Sequence, residues 1–597
     1  MSDLSPAIDR HADRERYALW APQARRVELR LERADAVRVH ELTRSSDGWF
    51  ELEDPRPQPD DLYAFRLDGD GLWLPDPRSL HQPGGVHGPS RWVDPDTLRD
   101  RSGWTGADVR DRVLYELHIG TFTPGPDGRG GTFDSAIDRL DDLVDLGIGA
   151  VEVMPVAAFP GDRGWGYDGV GLFSVHDAYG GPEAFARFVT AAHQRGLAVI
   201  LDVVHNHLGP SGNYLGLIGP YFTTAHETPW GPAVNLDQDG SDQVRAFLLA
   251  SVRQWLVERG LDGLRLDAVH ELRDDSPRHL LAEMSDAVAT WSQEVSRPLR
   301  LIAESDRNDP RTVTPTTEGG LGMDMQWADD IHHAVHAWIS GERAGYYVDF
   351  GSTRVLKRTL TRMFEHDGSF STFRDRLWGA PVDPASSLYD AHSFVAFLQD
   401  HDQVGNRAAG DRVHHRLPAG AHAAGAALIL LGAATPMLFM GEEWAASTPF
   451  TYFTDHDEDL GPFITRGRIE EFAAMGWSDP VPDPQAASTF TASILRWEER
   501  EDPEHAAMLD WYRTLLRLRH EVPALRDPAL GRVRVEARNE ETVLLHRDAA
   551  DGAETGITVL AHRGDGTVRA PEGEVLARFG GGSGHELDGP GAVVVRR

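Results

Sequence analysis

The run Val113-Leu114-Tyr115-Glu116-Leu117, the amphipathic stretch Phe133 to Leu146 and the second run Ala150-Val151-Glu152-Val153-Met154 read as one strand–helix–strand unit. Short, nearly continuous apolar runs mark strands buried on both faces, as in parallel sheets. Between them Ile137, Leu140 and Val144 fall on one helical face, and Gly147 supplies a stop. Six further runs follow with helix-patterned stretches between them: Leu197-Ala198-Val199-Ile200-Leu201, Gly263-Leu264-Arg265-Leu266, Leu299-Arg300-Leu301-Ile302-Ala303, Met323-Asp324-Met325-Gln326-Trp327, Phe394-Val395-Ala396-Phe397-Leu398 and Pro436-Met437-Leu438-Phe439-Met440. Eight buried strands in alternation with helices predict a closed (β/α)8 TIM barrel. An open doubly wound sheet usually has fewer strands and a Gly-rich phosphate turn after its first. A two-domain α/β chain is the alternative on this pattern.

Outward from the barrel, residues 1–100 alternate apolar and polar positions at strand period, as in Tyr17-Ala18-Leu19-Trp20 and Val27-Glu28-Leu29-Arg30-Leu31, and predict a small β-sandwich. The Pro/Gly-rich run Leu80 to Pro95 reads as a linker packed on the next domain. The barrel is expected over 111–525, with Trp511 to Leu516 in its last helix, and a small antiparallel β-domain over 526–597. Gly580-Gly581-Gly582-Ser583-Gly584 is a loop, since no amphipathic helix follows it to hold a phosphate. The longest uncharged stretch, Ala423 to Gly441, is interrupted by Gly432 and Pro436 and reads as a buried helix followed by a buried strand, not as a membrane span.

Composition then removes whole classes of chemistry. The 597 residues carry 59 Lys+Arg against 94 Asp+Glu, a net charge of −35, so a basic groove for nucleic acid or an anionic membrane is not expected. With no Cys there are no disulfides, thiolate nucleophiles or Cys-ligated metals. The lone lysine, Lys357, follows no Gly-rich loop, which excludes a P-loop and leaves one poor Schiff-base candidate. Met1-Ser2-Asp3-Leu4-Ser5 begins no secretory signal, so a cytoplasmic protein is expected. Carboxylates, His, Trp and Gly remain plentiful, the inventory of carbohydrate acid/base chemistry.

The C-terminal ends of barrel strands face the substrate. Here they carry Asp202 to His207 after strand three, Asp267 to Glu271 after strand four, Glu304-Ser305-Asp306 after strand five and Asp400-His401-Asp402 after strand seven. Arg265 and Asp267 are two apart on a strand, so both point the same way, and a guanidinium keeps a neighbouring carboxylate ionised for nucleophilic attack. Glu304 follows an apolar run among like charges, conditions that raise a carboxyl pKa and suit a general acid. Two carboxylates on adjacent strands can stand ~5–5.5 Å apart, the spacing of a retaining glycosidase. Singly, each of these residues is as readily a salt bridge, a hydrogen-bonded His or a loop-fixing acid. Their convergence would be costly in a purely structural barrel. Zinc is the competing use, but His205 and His207 lack the i, i+4 helical spacing of zincins.

In order and spacing, Asp202 to His207, Gly263 to His270, Ala303-Glu304-Ser305 and Gln399 to Asn406 resemble the four signature regions of the α-amylase superfamily of glycoside hydrolases. That resemblance implies Asp267 as nucleophile, Glu304 as acid/base and Asp402 as the transition-state carboxylate. It further implies Arg265 orienting the nucleophile, His207 and His401 binding hydroxyls of the cleaved sugar, Tyr167 of Trp165-Gly166-Tyr167-Asp168 stacking on it, and Asp168 with Asp202 supporting. Leu19 to Ala24 is similar to the sandwich that precedes the barrel in branching and debranching relatives. Leu266 to Leu272, Gln326 to His333, Gly441 to Trp444, Pro449 to His456 and Arg466 to Trp477 resemble the maltooligosyltrehalose trehalohydrolases, which hydrolyse the α-1,4 bond next to a terminal trehalose unit. His270, Glu271, Asp330 and His332 are the candidates for binding beyond that bond. The implied partners are maltooligosyl trehalose and related α-glucans. Glycogen branching enzymes share the domain order, and some amylase-fold chains are binding subunits without catalytic acids. Asn206 stands where many amylases place a calcium ligand, but the following region is not acid-rich, so no metal and no cofactor are expected.

Overall fold

The computed structural model describes residues 5–34, 36–69, 71–125, 128, 130–474, 480–550 and 556–597; the sequence readings at Met1 to Leu4 and Trp477 fall outside them. Eight parallel strands close on themselves in chain order: Leu114–Leu117, Ala150–Val153, Ala198–Val203, Gly263–Leu266, Arg300–Ala303, Met325–Trp327, Phe394–Phe397 and Thr435–Phe439. Each predicted apolar run holds one of them, which settles the barrel over a two-domain α/β chain.

The barrel interior is layered. Leu114, Ala150, Ile200, Ile302, Trp327, Phe397 and Met437 pack into one apolar floor. Because side chains alternate along a strand, the positions two further on point inward again, one level higher. Those positions include Glu116 and Glu152, which are paired in register, Asp202, which pairs with Arg265 on the next strand, and Glu304. The strand-end acids therefore belong to a charged layer that rests on hydrocarbon.

The helix after the first strand differs in detail from its sequence pattern. Thr132 and Ser135 cap a helix over Phe133–Ile137, the chain resets at Asp138 and Arg139, and a second helix spans Leu140–Leu146 before Gly147 at φ 102°. Phe133, Ala136, Leu140, Leu143 and Leu146 face the core, on a face centred near Ala136 and Leu143, while Val144 lies at its margin and is 39% exposed. The expectation of Val144 inside was wrong for that reason.

At the N-terminus a helix, Ser5–Ala12, precedes two antiparallel sheets. Tyr17–Trp20, Trp49–Leu52 and Thr43–Arg44 form one, and Ala36–Glu41, Val27–Arg33, Leu62–Leu67 and Ser90–Arg91 the other. Leu80 to Pro95 is not a linker. Its Ser90–Arg91 pairs with Leu62 and Tyr63 as an edge strand, and the His87 ring reaches Ser211 Oγ and Tyr214 OH of a barrel loop at 3.1 and 2.6 Å.

After the last barrel helix, Pro503–Glu521, an antiparallel sheet forms from Val533–Asn539, Thr542–Arg547, Ile557–His562, Thr567–Arg569, Glu574–Gly581 and Glu586–Arg596. The uncharged stretch becomes helix Ala419–Leu430 and strand Thr435–Phe439. That helix lies between the C-terminal strand Glu586–Arg596 and the helices Asp329–Ser340 and Pro503–Glu521, which explains why nearly all its faces are apolar. Arg519 donates to the carbonyls of Leu430, Gly432 and Ala434 at 2.9, 2.9 and 3.0 Å, and Arg547 to that of Leu431 at 3.1 Å, satisfying the helix end. Among the described residues no helix is long and apolar enough to cross a membrane.

Candidate active site

Arg265 organises the barrel mouth. Fully buried over the Trp327 ring at 4.3 Å, its Nη1 donates to Asp202 Oδ2 at 2.8 Å and Asp267 Oδ1 at 2.9 Å, while Nη2 lies 3.2 Å from Glu304 Oε2. One planar fork thus fixes three carboxylates, a task a lysine could not perform. The other oxygen of Asp267, Oδ2, accepts from Asn206 Nδ2 at 2.8 Å, and the same amide donates to the Asp267 carbonyl at 2.8 Å. Asn206 Oδ1 faces His207 Nδ1 at 2.6 Å, so both ends of this amide are engaged in aligning neighbours.

Immediately after Asp267 the chain turns through Ala268 at φ 38°, a left-handed conformation that a Cβ-bearing residue rarely adopts. The turn aims the Ala268 N–H at Glu304 Oε2, 2.6 Å away. With Oε2 accepting from the Ala268 N–H and facing the Arg265 guanidinium, Oε1 is the oxygen left to carry a proton. Burial raises the Glu304 pKa above the usual range; Arg265 opposes this, and Asp267 and Asp402 add to it.

A second group of residues joins the same charged layer from the other side. Tyr167 reaches it because Gly166 turns at φ 99°, where a Cβ would sit 2.2 Å from the Pro155 carbonyl oxygen. The Tyr167 hydroxyl donates to Asp202 Oδ2 at 2.6 Å and lies 2.8 Å from His401 Nε2. Burial pushes Asp202 up to about 7 against the pull of Arg265. Asp402 lies in the first turn of a short helix, His401–Gly405, and its Oδ1 accepts from Asn406 Nδ2 at 2.8 Å. Arg468 in turn donates to Asn406 Oδ1 at 2.6 Å and stacks over Tyr452 at 4.5 Å, so the Arg466-Gly467-Arg468 segment reaches the site.

Of the remaining sequence candidates, His207 borders the pocket, its Nε2 facing the Tyr167 carbonyl at 3.1 Å and its ring stacked on Trp230 at 4.1 Å. Both its polar neighbours are neutral oxygens, and burial holds its pKa below the ordinary value. Asp168 sits at the rim, 3.2 Å from His456 Nε2, and His270 lies 4.0 Å from Asp306 Oδ1. Three candidates go elsewhere. Glu271 is paired with Arg273 at 2.9 Å; buried Asp330 accepts from Asn308 Nδ2, Glu365 N and His366 N at 3.0, 2.7 and 3.0 Å; buried His332 faces the Leu398 carbonyl and Tyr347 OH at 2.8 and 3.0 Å. Helix Asp329–Ser340 turns Asp330 and His332 into the protein, so neither is offered to a ligand.

Several contributors carried no weight in the sequence reading. Glu116 is a lone charge inside an apolar strand, a signal that could have found it. Half-buried Asp329, two residues beyond the inward-facing Trp327, follows the same alternation; burial and then Glu304 push its pKa well above the carboxylate range. Trp230, half-exposed, comes from the hairpin Phe222–Thr228 and Gly231–Val234, which no pattern tied to the site. Among the described residues the grouping whose ligand atoms approach one ion's reach is His226, Asp237 and Asp275, not the strand-end acids.

A sandwich, a closed barrel and converging strand-end carboxylates define a glycoside hydrolase of the α-amylase family, acting on α-glucans. The family described as "Alpha amylase, catalytic domain" matches residues 94–216, and "Carbohydrate-binding module 48 (Isoamylase N-terminal domain)" matches 6–83. The malto-oligosyltrehalose trehalohydrolase of Arthrobacter ramosus is 49% identical over 97% of this chain and 99% of its own, and that of Mycobacterium tuberculosis strain H37Rv is 47% identical over 89% and 90%. A crystal structure described as a putative alpha amylase from Salmonella typhimurium superposes with a TM-score of 0.87 at 37% identity, covering 97% of each chain. The chain belongs to the malto-oligosyltrehalose trehalohydrolase family.

Proposed function

We propose that this glycosidase hydrolyses the α-1,4-glucosidic bond next to the terminal trehalose of maltooligosyl trehalose, releasing trehalose and a maltooligosaccharide with retention at the anomeric carbon. The reading is carried by Asp267 and Glu304 sharing the two nitrogens of the Arg265 fork, a compact pair that favours the close spacing of retaining enzymes over the wider inverting one. Asp267 attacks C1 while Glu304 Oε1 gives its proton to the departing glycosidic oxygen. Glu304 then takes a proton from water, whose hydroxide displaces Asp267 from C1. Asp402 supports the oxocarbenium-like transition state. Tyr167, His207, His401, Arg265 and Asp202 surround the cleaved sugar, with Asp168 and His270 at the rim. Burial and then Glu304 raise the pKa of Asp329 well above the carboxylate range, which favours a carboxyl able to donate a hydrogen bond to a sugar oxygen. No metal or organic cofactor takes part, and the setting is the cytoplasm.

The substrate class rests on the names of the relatives, together with His456 and Arg468, which bring the two trehalohydrolase-like segments against Asp168 and Asn406. Incubation with maltooligosyl trehalose and with amylose tests it. Free trehalose supports the hydrolase, new α-1,6 branch points identify a branching transferase, and neither product returns a binding subunit.

A further inference from the structure

The carboxylate of Glu116, on the first barrel strand, holds His401 at two points. Glu116 Oε2 accepts the backbone N–H of His401 at 2.9 Å, and Oε1 lies 2.5 Å from ring Nδ1; both residues are about 1% exposed. At the far side of the ring, Nε2 lies 2.8 Å from the Tyr167 oxygen, whose own hydrogen points to Asp202 Oδ2. A tyrosine hydroxyl has one proton. With that proton committed to Asp202, its oxygen can only accept from His401, just as the carboxylate accepts on the Nδ1 side. We propose that Glu116 is a positioning residue for the glycosidase reaction, holding His401 as an imidazolium with two fixed N–H donors.

The surroundings agree. From the packed elements His401 faces Glu116 and Glu152 on the first two strands, His118 beyond the first, Tyr167, Asp202 and Arg265, with Asp400 and Asp402 beside it in sequence. Burial opposes a second cation there, and Arg265 does too, yet the carboxylates prevail and lift His401 to about 10, Glu116 foremost. The imidazolium lies 3.8 Å from Asp402 Oδ1 and reaches Asp202 through Tyr167. It thus balances the transition-state carboxylate on one side and the nucleophile's support on the other. Nothing in the sequence resemblance assigns Glu116.

The inference shares its site with the proposed function, but its first test needs no substrate, so the two can fail separately. In ¹⁵N-histidine NMR of the full chain, the His401 signals among the 27 histidines are those lost in His401→Gln. The wild type is expected to keep both ring nitrogens protonated at about pH 8, where an ordinary histidine is neutral. Glu116→Gln is expected to bring the titration to about pH 6.5 or below, and Glu116→Asp to restore it partly. In activity, Glu116→Gln is expected to lose kcat/KM by about tenfold per pH unit beyond the wild-type basic limb, and this extra limb is absent in the Glu116→Gln/His401→Gln double variant. A neutral His401 in the wild type at about pH 8, or identical titration in wild type and Glu116→Gln, overturns the proposal. So does a pH-independent loss of rate in a variant whose melting temperature is unchanged, since that is what a merely structural role would give.

Discussion

Asn206 is the residue whose removal separates alignment of the nucleophile from metal binding. Its Nδ2 donates to Asp267 Oδ2 and to the Asp267 carbonyl, both at 2.8 Å, and its Oδ1 steadies His207 at 2.6 Å. Asn206→Ala removes all three contacts from a position 1% exposed, where water does not easily replace them. A hydrogen bond to a charged group is worth about 1.5–3 kcal/mol. At about 1.36 kcal/mol per decade, the lost hold on Asp267 amounts to a fall of about 10- to 150-fold in rate. The loss belongs chiefly in kcat, because attack on C1 requires the oxygen to be aimed and substrate contacts elsewhere are intact. Trehalose release from maltotriosyl trehalose gives kcat and KM, and the same assay with added calcium distinguishes a structural amide from a metal ligand. A kcat within about twofold of wild type, or recovery of rate with calcium, would refute the alignment argument.

Further outcomes follow from the same geometry. Asp267→Ala is expected to abolish hydrolysis while circular dichroism and melting temperature stay near wild type; normal turnover would remove the nucleophile assignment. Glu304→Gln is expected to lose about 10²–10⁴-fold on natural substrate and much less on an aryl glycoside whose leaving group needs no proton. Because the acid works protonated and its pKa is raised, wild-type kcat/KM falls with rising pH only above the ordinary glutamate range, and this limb is absent from Glu304→Gln on the activated substrate. Buried Glu442 and Glu443 are pushed up to about 8 and 7, mainly by burial, so their contribution to stability is present below about pH 4.5 and is lost as pH rises through 7 to 8. Glu442→Gln, which stays neutral, is therefore expected to show a smaller drop in melting temperature between about pH 5 and about pH 8.5 than wild type.

The barrel was legible because each parallel strand is an uninterrupted apolar run, whatever lies between. The buried face of the first helix was less so: it centres near Ala136 and Leu143, and the stripe Ile137, Leu140 and Val144 runs along its edge, so Val144 reaches the surface. The edge strand Ser90–Arg91 is two residues long and was hidden in a Pro/Gly-rich run. In the site, Arg265, Asp267, Glu304 and Asp402 could be read because strand ends in a barrel face one mouth. Asp330 and His332 were misplaced because helical rotation after Ala328 decides which polar side chain looks into the cleft, and it favours Asp329. Glu116 was in view from the first quoted run, yet its partner His401 is 285 positions away, and only tertiary structure pairs them.

The helix Ala419–Leu430 has no outside of its own: what would be its solvent face is supplied by the last strand of the chain, and its final carbonyls by two distant arginines. The eighth barrel strand, which begins a few residues later, is thus delivered by a helix that stays uncovered until the C-terminal sheet arrives. The C-terminal sheet has to pack before that helix is covered on this side. The terminal sheet is in that sense a latch on the catalytic domain, and recombination that trades it for another module would have to bring a matching apolar face and a replacement for Arg547, whereas Arg519 stays on the last barrel helix.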